Sequence, residues 1–210
     1  MIVMELQVGG QNVSRETIES LRAFEALVKR WNAAINLVSK ATLPVLWDRH
    51  IVDSAQLFSH LPATAQHWAD FGAGGGFPGL VIAILARGAG RDLRVTLVES
   101  DARKATFLRQ AAQALGLSVV VVNKRIESME SLQADVVSAR ALAPLDALLE
   151  FAAVHLREGG TAIFPKGARH TEELTAARAQ WSFDVDTHSS QSEPGAAILI
   201  IRNIERAKQN

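Results

Sequence analysis

Between residues 67 and 166, short β-prone runs alternate with helix-prone runs, and this alternation constrains the fold more than any other feature of the chain. "HWADF", "RVTLVE", "SVVVVN", "ADVVSA" and "GTAIFP" read as strands. Between them lie helices at about 78 to 88, 101 to 115 and 144 to 157, with a short helical turn near Glu127 to Leu132. Strands joined by helical crossovers pair in parallel, since a tight turn can only return the chain antiparallel. The tail changes character. A helix near 170 to 180 leads into "WSFDVDTHS" and "AAILIIRNI", joined by the polar link "QSEPG", which reads as an antiparallel hairpin closing the sheet.

Upstream of Pro62 the periodicity is helical. Ile18, Leu21, Phe24, Leu27, Val28 and Trp31 recur at three and four residues behind a candidate N-cap, Ser14. A second helical stretch over about 42 to 60 turns Leu43, Leu46, Trp47, Ile51, Ala55 and Phe58 inward. The expected organisation is an N-terminal helical cap, 1–62, on an α/β domain, 63–210, forming one compact unit. Trp31, Trp47 and Phe58 belong to the cap's core by their spacing, and Trp181 to packing at the start of a strand. His50 and Asp53, three residues apart, read as a hydrogen-bonded structural pair rather than a metal or general-base site.

Composition narrows the setting. No apolar run approaches the roughly 18 residues of a membrane span, there is no cysteine, and the N-terminus lacks a secretory pattern, so a cytoplasmic protein without a membrane partner is expected. Lys plus Arg and Asp plus Glu are equal at 22 each, so a nucleic-acid partner requires a local basic face.

The chemistry-bearing stretch is "DFGAGGGFPGL", residues 70 to 80, a glycine turn between a strand and a helix. In open α/β sheets such a turn is the usual cofactor position. Gly74, Gly76 and Gly79 spell the dinucleotide fingerprint, with Glu99 twenty residues beyond Gly79 and placed to accept from ribose hydroxyls. Asp70, two residues before the first glycine, disfavours a diphosphate and suits a cofactor carrying an amino group and a sulfonium. S-adenosyl-L-methionine is therefore preferred, with an NAD(P)-dependent oxidoreductase as the rival.

Around this loop, "RHIVDSAQL" (49–57), "RVTLVESDARKATFLRQ" (94–110), "SARAL" (138–142) and "FPKG" (164–167) occur in an order that resembles the bacterial small-subunit ribosomal RNA methyltransferase G family, RsmG, over about residues 20 to 202. The resemblance implies a class I, Rossmann-like methyltransferase that uses S-adenosyl-L-methionine to methylate N7 of one guanine in 16S ribosomal RNA. It also implies cofactor contacts at Gly72, Phe77, Ile126, Glu127 and Arg140, beside Gly74, Gly76 and Glu99 from the residue-level reading. Family members commonly carry Thr and Pro where this chain has Ala73 and Gly75, which leaves the loop more flexible.

N7 of guanine already has a free lone pair, so transfer needs no general base and rests on alignment. Arg140 and Lys166 are candidates for positioning RNA or the transition state. The RNA candidates at the strand ends and cap are Arg49, His50, Arg125, Arg140 and Lys166, whereas Lys124, Arg169 and His170 read as solvated surface residues. The expected partner is 16S RNA or the small ribosomal subunit, bound by a monomer. A third alternative is a catalytically silent RNA-binding module of the same fold.

Overall fold

The computed structural model describes residues 6–207. A small hairpin comes first: β1 (Leu6–Val8) and β2 (Gln11–Val13) pair antiparallel around Gly9 and Gly10, both at positive φ. The periodicity reading passed over it, although a Gly-Gly pair between short β-prone runs is a two-residue hairpin signal. Helix α1 (Arg15–Asn32) follows. The Ser14 hydroxyl oxygen accepts the Thr17 N–H at 3.2 Å, satisfying one of the helix's orphan donors. Leu21, Phe24 and Val28 are fully buried, with Ile18, Leu27 and Trp31 flanking the same face.

Residues 43–60 are helical, but not as the single α-helix their spacing suggests. The hydrogen-bond pattern runs from 3₁₀ (Leu43–Val45) to π (Trp47–Val52), one α-turn (Asp53–Ala55) and 3₁₀ again (Gln56–His60). Widening and tightening the turn shifts the side-chain phase. Leu46 and Ile51 are thereby fully buried while Val45 is left exposed. Leu61 turns extended before Pro62, as a residue preceding proline must. Trp47 is only half-buried, with the Arg22 guanidinium 3.5 Å above its ring, and Trp31 packs on Phe107 at 5.7 Å.

The remaining chain supplies β3 (His67–Phe71), α2 (Gly79–Gly88), β4 (Arg94–Val98), α3 (Ala102–Ala114), β5 (Val119–Val122), β6 (Ala134–Ala139), α4 (Leu145–His155), β7 (Leu156–Lys166), α5 (His170–Ala177), β8 (Trp181–Ser189) and β9 (Ala197–Arg206). The sheet order is β5-β4-β3-β6-β7-β9-β8. The strands β3 to β7 are parallel, and β8 and β9 form the antiparallel closing hairpin. Several boundaries differ from the sequence reading. β7 begins at Leu156, so α4 stops at His155; α5 stops at Ala177; and only Ile126–Ser128 forms a 3₁₀ turn where helix to Leu132 was expected.

Alternation along each strand divides the core in two. Trp68, Val95, Leu97, Val136, Ile163 and Ile200 face α1, residues 43–60, α2 and α3 in one continuous apolar cluster. Phe71, Val98, Val137, Phe164, Leu199 and Ile201 face α4 and the buried Ala177 on the other side, with Trp181 packed there as expected. The cap helices therefore share their core with the sheet, and this seats the cap over the strand ends.

Candidate active site

From β3 the chain winds outward to β4 and β5, then crosses back to place β6 on the other flank of β3. At such a switch point the loops leaving the two strands diverge and open a crevice. The cavity there has a volume of about 580 Å³, within the range of small-molecule sites. Its floor is the loop after β3, with Gly72, Gly74 and Phe77. Arg140, just after β6, and Lys166, at the end of β7, form one wall; Thr42, Arg49, His50 and Asp53 of the cap form another; Ser190, Ser192 and Glu193 close the far side.

The glycines divide by what lies in front of them. Gly74 sits at φ +51°, and a Cβ built on it meets nothing nearer than the Gly72 carbonyl oxygen at 3.6 Å, so it faces open space. Gly76, expected at the cofactor, instead packs inward: a Cβ there lies 2.7 Å from Leu80 and 3.0 Å from Phe24. Gly79 lets α2 press on the sheet, where a Cβ falls 2.2 Å from Leu97. Gly75 has the cap on top of it, with a Cβ at 3.1 Å from the Leu37 carbonyl oxygen. Any side chain at Gly75, proline included, requires the Leu37 loop to give way. The residue is thus matched to how this cap sits.

The two acids hold the loop from below. Asp70 does not project toward a ligand, as the sequence reading assumed. It is fully buried, accepting the Gly79 N–H at 2.9 Å and the Ser138 hydroxyl at 2.7 Å. Burial pushes its carboxyl up to about 7, against the lowering effect of those two hydrogen bonds. Glu99, also buried, accepts the Gly74 N–H at 2.8 Å on one oxygen and the Asp101 N–H at 2.7 Å on the other. Two of the amides with which a glycine loop could cradle a diphosphate, those of Gly74 and Gly79, are therefore already taken by the chain's own acids.

Phe77 stands between His50, with ring centroids 5.1 Å apart, and Arg140, whose guanidinium lies 5.2 Å from its ring. Burial lowers the Arg140 pKa, and Asp53, 3.6 Å away, counteracts that. The expected His50–Asp53 pair does not form. His50 Nε2 bonds the Thr42 hydroxyl at 2.8 Å, and Asp53 accepts from Ser192 at 2.5 Å. His50 lies in the π-turn and Asp53 opens the α-turn that follows, and the two side chains bond different partners. Burial first, then Arg140 and Arg49, lowers the His50 pKa to about 3, so this imidazole is uncharged at neutral pH and offers phosphate no positive charge.

Lys166 is similarly committed. Its side chain is 10% exposed, and its Nζ lies 2.6 Å from Glu173 and 3.2 Å from the Ala143 carbonyl oxygen, so it fixes the loop after β6. Arg49 pairs with Glu193 at 3.0 Å, and the Gln191 N–H reaches Gln56 at 2.7 Å, tying the 190–196 link to the cap. These tethers join residues 135 or more apart in sequence, and no local pattern announces them. Ile126 is buried beneath the adjoining rim, with exposed Glu127 and Arg125 beside it; none of the three lines the cavity, and neither do Lys124, Arg169 or His170. Lys104, which the sequence reading did not single out, does. Among the described residues no three His, Cys, Asp or Glu side chains are grouped to hold a metal ion.

A family model described as rRNA small subunit methyltransferase G matches residues 17–198. The chain is 52% identical over 195 residues to the ribosomal RNA small subunit methyltransferase G of Ruegeria sp. strain TM1040, covering 93% of this chain and 95% of that protein. Its fold is similar to M. jannaschii TYW2 in complex with AdoMet, with TM-score 0.53 and 16% identity over 83% of this chain and 80% of that one. It is also similar to a SAM-dependent O-methyltransferase from Thermotoga maritima, with TM-score 0.55 and 15% identity over 75% and 66% of the two chains.

Proposed function

This chain belongs to the rRNA small subunit methyltransferase G family, and from that premise we propose that it methylates N7 of one guanine in 16S ribosomal RNA. It is an α/β enzyme of the class I methyltransferase fold that uses S-adenosyl-L-methionine on ribosomal RNA. The observation that carries the cofactor choice is the occupied amide cradle. With the Gly74 and Gly79 N–H groups bonded to Glu99 and Asp70, a diphosphate would have to displace two carboxyl groups to reach those donors, whereas a cofactor without phosphate loses nothing. This disfavours the oxidoreductase reading.

In our assignment the amino-acid end of the cofactor lies over the loop at Gly72 and Gly74, where Gly74 faces open space and Gly72 lies against Leu142, with Phe77 as an apolar wall. The ribose approaches Glu99, whose oxygens each keep a lone pair beyond those used by the backbone. The adenine lies toward Ile126 and Glu127. When bound, the cofactor supplies an electrophilic methyl carbon on a sulfonium. The protein's part is alignment. Asp53 restrains Arg140, Arg140 and His50 brace Phe77, and Lys166 with Glu173 fixes the loop after β6, so the walls of the cavity are set before substrate arrives. Since N7 needs no deprotonation, the uncharged His50 is compatible with catalysis at any physiological pH.

We further assign residues 1–62 and 63–210 as cap and catalytic parts of one unit that works as a cytoplasmic monomer. Among the described residues no helix is long and apolar enough to cross a membrane. The test is transfer from methyl-labelled donor to naked 16S RNA, 30S particles and 70S ribosomes, with the modified base identified by nuclease digestion. Label at guanine N7 is expected. Label elsewhere refutes the site, and RNA binding without any transfer makes the chain a silent binding module.

A further inference from the structure

The cations that line the cavity beside the cap, β6 and β7 are neutralised: Arg49, Arg140 and Lys166 each face a carboxylate within 4 Å. The opposite side of the mouth differs. Lys40, Arg103, Lys124 and Arg125 are exposed and Lys104 is half-buried in the cavity wall, and none of the five forms an ion pair among the described residues.

Three contacts bring these residues to one edge. β4 and β5 are adjacent parallel strands, about 4.8 Å apart. The Asn123 side-chain amide donates to the Glu99 and Ser100 carbonyl oxygens at 2.8 and 3.0 Å, clamping the loop that carries Lys124 and Arg125 to the one leading into Arg103 and Lys104. The Trp31–Phe107 contact seats the end of α1 on α3, and Asn32 Oδ1 accepts the Leu37 and Val38 N–H groups at 2.9 Å each. That holds the following cap loop, with Lys40, over the same edge.

The acids here do little to cancel the charge. Asp101 Oδ1 caps the helix through the N–H groups of Arg103 and Lys104 and attracts both cations without forming an ion pair with either, and Glu127 is exposed nearby, so these acids offset the band only in part. Arg103 and Lys104 also sit in the first turn of α3, where positive charge opposes the helix dipole. Five cations, two of them placed against the helix dipole, make a surface suited to a polyanion.

We propose that this band, Lys40, Arg103, Lys104, Lys124 and Arg125, is the track that holds the ribosomal RNA backbone beside the cavity, so that phosphate contacts lie on the β4–β5 side of the mouth. The proposal rests on the reading of the chain as a ribosomal RNA methyltransferase. It departs from the expectation that Lys124 is merely solvated, and assigns RNA contact to this band rather than to Arg49, His50, Arg140 and Lys166.

The test is the combined substitution Lys40→Ala, Arg103→Ala and Lys124→Ala, which spares the cavity lining. A control, Arg169→Ala, removes an exposed cation beyond β7. The triple variant should keep the wild-type melting temperature and affinity for S-adenosyl-L-methionine. Its KM for 30S particles should rise at least tenfold. Its plot of log affinity for deproteinised 16S RNA against log salt should be shallower by about 2, as expected for loss of three phosphate contacts. An unchanged slope and KM, or an equal loss in Arg169→Ala, overturns the proposal. Weaker binding to 30S with naked RNA unaffected also overturns it, pointing instead to a ribosomal protein. If the wild-type protein methylates no RNA, the functional reading fails first.

Discussion

Replacing Asp70 by asparagine tests whether the acid beneath the glycine loop is a buried support or a ligand contact. Burial pushes the carboxyl up to about 7, well above the ordinary aspartate range, so folding favours the protonated form. Below pH 4 both folded and unfolded chains carry the proton, and Asp70 costs nothing. As pH rises toward and beyond 7 the unfolded chain ionises long before the folded one, and about 4 kcal/mol of stability is lost across that window. The Asp70→Asn side chain is neutral throughout. Its carbonyl oxygen can keep the Gly79 N–H, but its amide must donate to a Ser138 hydroxyl already receiving the Trp68 indole N–H at 2.8 Å. The serine O–H then lacks its acceptor, a loss of about 1 kcal/mol. The variant is therefore expected to be about 1 kcal/mol less stable at pH 4 and about 3 kcal/mol more stable at pH 8, with the two curves crossing between. Urea unfolding of both proteins at half-unit pH steps measures the difference. The half-buried His50 and His60 and the buried His67 and His155, whose pKa values desolvation lowers, act in the opposite sense but cancel in the comparison. Parallel curves, differing by a constant within about 1 kcal/mol, would refute the assignment of a buried carboxyl whose pKa burial raises.

Gly74→Val should fold with a loss of about 1–2 kcal/mol from its left-handed backbone, yet bind S-adenosyl-L-methionine at least tenfold more weakly, because its side chain enters the open cavity; calorimetry showing wild-type affinity would contradict this. Gly79→Ala should instead lose at least about 2 kcal/mol, since its methyl group overlaps Leu97 and crowds Asp70, and a melting temperature equal to wild type would contradict that packing. Lys166→Met leaves the Glu173 carboxylate without its cation and should cost about 2 kcal/mol while leaving the salt slope of RNA binding unchanged. A shallower slope in that variant would return Lys166 to the RNA surface.

The alternating strands and helices, the Ser14 cap, the closing hairpin and the glycine loop were all legible because each depends on neighbours within a few residues. Turn chemistry, side-chain period and capping are properties of a short window, so sequence suffices for them. The β1–β2 hairpin carried its own Gly-Gly signal and was missed only because three-residue strands are too short for a periodicity test. Residues 43–60 kept their helical periodicity, but their change from 3₁₀ to π to α hydrogen bonding, with Leu46 and Ile51 packed in the core shared with α1 and the sheet, has no local sequence signal. The cofactor loop was recognisable as a loop, yet its glycines could not be sorted. Gly74 and Gly76 look alike in sequence, and only the approach of Phe24 and Leu80 makes one a packing residue while the other faces the cavity. Charge was least legible. A lysine or arginine announces its presence, but whether it is free depends on a carboxylate that the fold brings to it, as Glu193 comes to Arg49 across 144 residues. By itself, then, the sequence determined the fold class, the cofactor loop and, through the family's motifs, the reaction. Tertiary structure decided which amides, acids and cations remain available for that reaction, because availability is set by contacts between residues remote along the chain.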